Sequence, residues 1–201
     1  ACDSHPDFFS SQFAKNYAQK NQLPLVEVPH HQAHLAAVLA EIHLPENSAF
    51  IGLALDGIGL GESLTQTGGQ SDKPLWGGEL FIGKLDSYTN KQTSLSFKHH
   101  AQISQLSLPG GDKATKHIGR IGFALFESLK DKTLSNFESD FAISSELKEF
   151  IQTHSENFPK TSSLGRWFDT ISSLLGIRQS VSYEGQAAME LEALAIQYGK
   201  L

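Results

Sequence analysis

The residues that most constrain this chain are Ser48 to Leu55 (SAFIGLAL), a near-continuous apolar run of strand length. Such a run is expected of a strand buried on both faces of a sheet. It leads straight into Asp56-Gly57-Ile58-Gly59-Leu60-Gly61, where three glycines without side chains predict a turn that a ligand can approach closely. Asp56 ends the strand, where a charge is costly without a partner such as a metal ion or a ligand hydroxyl. The backbone N–H groups behind it suit phosphate oxygens. Many D-G-x-G-x-G turns are nevertheless only tight hairpins.

The stretches 79–85 and 92–98 read as two further strands, which makes a three-stranded meander whose first turn is rich in glycine. Around it the periodicity predicts helices. Residues 8–21 place Phe9, Phe13 and Tyr17 at i, i+4 and i+8, an amphipathic helix with that face turned inward. Residues 30–42 follow, with Leu35, Val38, Leu39 and Ile42 as the apolar stripe, and a short strand bracketed by Pro24 and Pro29 precedes them. Further helices are expected over 112–130, 143–154, 164–175 and 184–197, joined by polar connectors at 131–142 and 155–162 and preceded by a polar loop at 63–73. The class is α/β or α+β in one domain, and 201 residues suit one moderate domain or a piece of a larger chain.

Composition excludes several function classes. A net charge of −6 offers no broad basic surface for nucleic acid. No apolar run approaches the ~20 residues that span a bilayer. Cys2 is the single cysteine, so an internal disulfide framework and a multi-thiolate metal site are excluded, and a reducing, cytoplasmic setting is expected. The opening Ala1-Cys2-Asp3-Ser4-His5-Pro6 has neither a starting Met nor a signal pattern, so the chain reads as cut from something longer.

Chemistry concentrates in a few places. His30 and His34 lie four residues apart on a predicted helix, which puts their Cβ atoms about 5–6 Å apart on one face. Two imidazoles so placed can hold one ion at zinc–nitrogen distances of about 2.0–2.1 Å, or they can simply start a helix and face water. No Glu follows the first histidine, so the metalloprotease base is missing. His31 lies about 100° round the helix and is not expected to share the site. Leu108-Pro109-Gly110-Gly111-Asp112-Lys113-Ala114 is a glycine turn before a helix, with an acid and a base in its first turn. Capping by Asp112 explains everything there except the paired glycines. Ser163, Gly165, Arg166 and Asp169 lie in a second first turn, and Tyr183, Glu184, Gly185 and Gln186 in a third.

Six stretches occur in order: V-P-H-H-Q-A-H-L-A-A (28–37), A-L-D-G-I-G-L-G-E (54–62), W-G-G-E (76–79), L-P-G-G-D-K-A (108–114), S-S-L-G-R-W-F-D (162–169) and S-Y-E-G-Q-A-A-M-E-L-E (182–192). Together, and with the opening A-C-D-S-H-P-D, they resemble the C-terminal carbamoyltransferase domain of the HypF family of [NiFe]-hydrogenase maturation proteins. The resemblance implies an α/β, actin-like ATPase (ASKHA) fold, incomplete here, as in the tRNA threonylcarbamoyl transferases. It implies that carbamoyl phosphate and ATP yield carbamoyl-adenylate, and that this domain passes the carbamoyl group to the C-terminal cysteine of HypE, the precursor of the cyanide ligands. On this chain it implies His30, His34 and Asp56 as ligands of a divalent metal, zinc or iron. Gly57, Gly59 and Gly61 would line the nucleotide's phosphate side, Asp112 and Lys113 lie in the Gly-Gly-Asp-Lys turn, and Gly165, Asp169 and Glu184 would approach the adenosine.

The chain departs from the family in places. His117-Ile118-Gly119-Arg120 stands where Glu-Pro-Trp-Arg is usual, and the loop between Gly61 and Trp76 is longer than usual. The family's early phosphate-binding segment, its L-S-G-G-V-F-N-N stretch and its G-D-G-G stretch lie outside the sequence. Residues 1–201 are thus expected to be the central part of the domain, lacking both of its ends and not a competent transferase alone. Two other readings stand beside this one. One is an O-carbamoyltransferase of the antibiotic or nodulation-factor type, and the other is a degenerate module that binds a nucleotide or a protein partner.

Overall fold

The computed structural model describes residues 1–61, 75–86, 95–129 and 140–199, and the side chain of Ile58 is not among what it describes. Where the sequence reads as one domain, the contacts divide it into two compact units, Ala1–Ile103 and Ser104–Leu201. The 63–73 loop, most of the Gly61–Trp76 connection and most of the 131–142 connector lie outside the described residues.

In the first unit β1 (Cys2–Asp3) pairs in parallel with β2 (Glu27–Val28), all that remains of the strand expected between Pro24 and Pro29. Helix α1 (Phe9–Asn21) lies between them and α2 (His30–Ile42) follows. The antiparallel sheet β3 (Ala49–Leu60), β4 (Leu75–Leu85) and β5 (Leu95–Gln102) then runs as the expected meander, in that order.

Four expectations fail here, each for a packing reason. The stripe of α1 does not face inward: Phe9, Phe13 and Tyr17 are 83%, 61% and 54% exposed, and the helix instead buries Ser11 and Ala18. Small residues allow the closer approach, and Ser11 Oγ donates to the Asp3 carbonyl at 2.9 Å. The 48–55 run is buried on one face only. Gly52 and Ala54 lie inward under α2, while Ile51, Leu53 and Leu55 are exposed. Of the α2 stripe only Leu35 is buried, with His31 one turn before it; Val38 and Ile42 are exposed. Leu35, Ala54, Trp76 and Phe81 form the core, backed by Phe97.

The fourth correction concerns the glycines. Asp56-Gly57-Ile58-Gly59-Leu60 is strand, not turn. Pairing with β4 slips after Leu55↔Gly78 and resumes at Gly59↔Trp76, the irregularity of a β-bulge. A Cβ on Gly59 would stand 2.5 Å from the His31 ring, and one on Gly61 would overlap the Trp76 indole. These two glycines are needed so that aromatic rings can lie on the strand. Around Gly57 there is open space.

The second unit is mainly helical. A two-residue ladder joins β6 (Leu106–Ser107) to β7 (Lys160–Thr161). The helix expected over 112–130 is two, α3 (Asp112–Lys116) and α4 (Gly119–Leu129). The break lets Gly119 pack on the Phe141 carbonyl, too close for any side chain, while its N–H donates to the Gln179 carbonyl at 3.0 Å. Helix α5 (Ser145–Thr153) is capped by Ser144, α6 (Leu164–Leu174) by Ser163, and α7 (Gln186–Tyr198) starts after Gly185 in the left-handed conformation. Leu106, Leu108, Ala114 and Ile121 form one core cluster, and Phe123, Phe141 and Ile151 another.

Candidate metal centre

Helix α2 begins at His30 because Pro29 ends β2 in an extended conformation and its carbonyl accepts the Ala33 N–H at 3.0 Å. One helical turn then sets His30 and His34 side by side, their Nε2 atoms 3.2 Å apart. Strand β3 brings Asp56 to the same point: its Oδ2 lies 2.6 Å from His30 Nε2 and 3.6 Å from His34 Nε2. Among the described residues this is the one cluster of metal-ligating side chains, with all three ligand atoms within 4.8 Å of one another.

The donor set suits a cation. His30 Nδ1 lies 2.5 Å from Asp3 Oδ2, and a carboxylate only accepts, so the ring proton belongs on Nδ1. Nε2 then presents a lone pair to the Asp56 oxygen 2.6 Å away. Two acceptors that close repel unless a positive charge lies between them. That Asp56 oxygen is shielded from solvent, so the gap holds either a second ring proton on His30 or a bound cation. Its other oxygen accepts the Gly57 N–H at 2.6 Å, which fixes the carboxylate's orientation. Two imidazoles and one carboxylate make a set that zinc or iron(II) accepts.

His31 points the other way. It is fully buried, its Nε2–H donates to the Gly77 carbonyl at 2.9 Å, and burial pushes its pKa below the ordinary value. The pull of the Gly77 carbonyl, Asp56 and Glu79 recovers only part of that shift. Gly77 N–H donates to Glu79 Oε1 at 3.0 Å, and His99 Nε2 donates to Glu79 Oε2 at 2.6 Å. The His99 ring stacks on Trp76, with centroids 4.6 Å apart and planes 19° off parallel.

The remaining sequence-derived residues are distributed as follows. Gly57 is exposed with room beside it, but its N–H is already engaged by Asp56. Gly59 and Gly61 lie under His31 and Trp76. Asp112 and Lys113 are exposed at the start of α3. The paired glycines before them both have positive φ, 89° and 59°, and Gly110 also makes way for the Arg120 guanidinium. In the second unit Asp169 is buried beside Arg166, its Oδ2 3.0 Å from the guanidinium. Burial pushes the Asp169 carboxyl up, Arg166 opposes this, and nearby Glu184 adds to it. The structure therefore sets Asp169 and Glu184 within electrostatic reach of each other. Gly165 has open space on its side-chain face apart from Ser163 Oγ.

Three residues of the first unit escaped the motif reading: Asp3, Glu79 and His99. Asp3 and Glu79 lie inside quoted stretches, but nothing in a linear motif says that Asp3 meets a ring 27 residues away.

Two family models match the chain. One, described as "Carbamoyltransferase, Kae1-like Domain, second subdomain", matches residues 52–200. The other, "HypF Kae1-like domain", matches residues 1–41. Carbamoyltransferase HypF2 of Cupriavidus necator is 38% identical over 200 residues, covering 100% of this chain and 22% of the relative. A HypF homolog of the same organism is 36% identical over 98% of this chain and 46% of the relative. The chain thus spans less than half the length of these relatives. A crystal structure of full-length HypF in the phosphate- and nucleotide-bound form superposes with a TM-score of 0.68 at 34% identity, over 96% of this chain and 27% of that one. The fold is therefore that of a Kae1-like, actin-like ATPase domain, mixed in helix and sheet. Among the described residues no helix is long and apolar enough to cross a membrane.

Proposed function

The chain belongs to the HypF carbamoyltransferase family, and from that premise we propose that it carries the metal-binding part of a carbamoyl-transfer site used in hydrogenase maturation. The donor is carbamoyl-adenylate, made in the whole protein from carbamoyl phosphate and ATP. The acceptor is the C-terminal cysteine thiolate of HypE, whose carbamoyl group becomes a cyanide ligand of the [NiFe] centre. The meeting of His30, His34 and Asp56 at one point carries this reading.

Carbamoyl-adenylate is a mixed anhydride, so thiolate attack needs its carbonyl or phosphate polarised, which a bound divalent ion supplies as a Lewis acid. The chain's own residues prepare for this. His30 and His34 offer ring nitrogens, and Asp56 offers one oxygen while the Gly57 N–H holds the other. In the second unit, Asp169 and Glu184 are acceptors for nucleoside hydroxyls, with Gly165 leaving room beside them, and Lys113 next to Asp112 supplies a positive charge for an anion. The thiolate comes from the partner, so Cys2 need not be catalytic.

The test uses the full-length protein. His34→Ala and Asp56→Ala should lower carbamoyl transfer to HypE by roughly 100-fold or more, with the metal lost by elemental analysis. Transfer at the unsubstituted rate by the metal-free variants would overturn the proposal.

A further inference from the structure

Resting on the metal reading above, we propose that Asp3 is the positioning residue of the site: it selects the His30 tautomer and ring orientation that leave Nε2 free for the ion. The carboxylate is built for the purpose. Its backbone is fixed by the β1–β2 pairing, where Asp3 lies opposite Val28, two residues before His30. Ser4 N–H donates to the Val28 carbonyl at 3.1 Å, and Ser11 Oγ donates to the Asp3 carbonyl at 2.9 Å. The side chain is fixed as well, because Asp3 Oδ1 accepts the His5 N–H at 2.7 Å. Only Oδ2 is left, and it meets His30 Nδ1.

Aromatic contacts hold the same ring. His5 stacks on Phe8 with centroids 4.4 Å apart and planes 5° off parallel, and Phe8 meets His30 edge-on at 6.0 Å. His30 is therefore constrained at one nitrogen and one face, and it turns the other nitrogen to His34 and Asp56. A carboxylate on the far nitrogen of a metal-binding imidazole fixes the tautomer and raises ligand basicity, and removing it typically costs 10–100-fold in metal affinity.

The His5 contact makes the inference sharper. In Asp3→Asn the amide oxygen would stay on the His5 N–H and the amide NH2 would face His30 Nδ1. A donor there forces the ring proton onto Nε2, where it blocks the ion. Asp3→Ala leaves the ring free to choose. Asn should therefore be the worse substitution, although it is the closer in shape.

Two measurements on the full-length protein test this. Nitrogen-15 NMR of the histidine rings in the metal-free protein, followed to a pH where His30 carries a single ring proton, should show that proton on Nδ1 and Nε2 bare, and Asp3→Asn should reverse the pattern. Zn2+ and Fe2+ competition against a chromophoric chelator should show about 10–100-fold weaker binding for Asp3→Ala and a larger loss for Asp3→Asn. His34→Ala, the control, should weaken binding without moving the His30 tautomer. A full-length parent that takes up neither ion would overturn the metal reading itself. A parent that binds while both Asp3 variants bind equally well would overturn only the role of Asp3.

Discussion

Helix α2 carries three histidines in its first five residues, and its two sides use them differently. On the inner side, Glu79 takes one hydrogen bond on each carboxylate oxygen, from Gly77 and His99, and His31 Nε2 closes that chain onto the helix, although His31 Nδ1 is buried without a partner. On the outer side, His30, His34 and Asp56 crowd one point, and the Asp56 oxygen facing them has no hydrogen bond. Buried polar groups that are satisfied hold a structure together. Polar groups brought together and left short of partners are arranged for something else. The same residue type, one position apart, is a core histidine in one case and a candidate ligand in the other.

The largest expected effect breaks the inner side. Glu79→Ala removes the fully buried carboxylate that accepts from both His99 Nε2 and the Gly77 N–H. It should destabilise the fold by about 3–5 kcal/mol in urea unfolding. A loss under about 1 kcal/mol would mean that the network is not structural. The outer side should respond in the opposite sense. His34→Ala should weaken divalent-metal binding at least ~100-fold, close to 2.7 kcal/mol, yet shift metal-free stability by no more than about 0.5 kcal/mol. That side chain is 60% exposed and packs against little. Equal loss of stability in the two variants would erase the distinction between the sides.

How much of this was legible in the sequence depends on what each signal measures. The i, i+4 spacing reports which residues share a face, and α2 spans His30–Ile42 as the pattern says, with His30 and His34 together. Spacing does not report what the face meets. Phe9, Phe13 and Tyr17 share a face too, but it looks outward, because the small edge of α1 packs closer. The Ser48–Leu55 run shows the same limit: its outward residues are as apolar as a buried set, so hydrophobicity alone could not say that one face is uncovered. Asp56 was readable as a charge that needed a partner. Asp3 was not, since its reach to His30 depends on a two-residue parallel pairing too short to leave a pattern. The glycines were read as room for a ligand, whereas Gly59 and Gly61 are room for His31 and Trp76.

Gly59 sits where the two sides touch. A methyl there would stand 2.5 Å from the His31 ring and 3.1 Å from His30 Cβ. His31 cannot yield freely, being fully buried and bonded to Gly77. Gly59→Ala should therefore cost about 1–3 kcal/mol of stability. It should also weaken metal binding, because the start of α2 must lift. Gly57→Ala, with open space around it, should do neither. A Gly59→Ala chain of unchanged stability and weakened metal binding would show that the inner side gives way without cost.

The second unit offers a milder version of the same contrast, and the smallest expected effect. Asp169 is buried like Glu79, but its Oδ2 has no hydrogen bond despite lying 3.0 Å from the Arg166 guanidinium. Burial raises its pKa more than Arg166 lowers it. The native chain therefore keeps this proton to higher pH than the unfolded chain does. Between the ordinary carboxylate value, about 3.9, and the raised one, the native state binds more protons, so this group's contribution to stability falls as pH rises. Above the raised value the loss is complete and constant. Asp169→Asn removes the titration and leaves Arg166 with a neutral neighbour, an offset that does not vary with pH in this range. Urea midpoints of the two proteins, compared from mildly acid to neutral pH, should thus turn progressively against the parent. A difference that turns in its favour as pH rises would mean that Arg166 dominates, and that Asp169 is a paired ion.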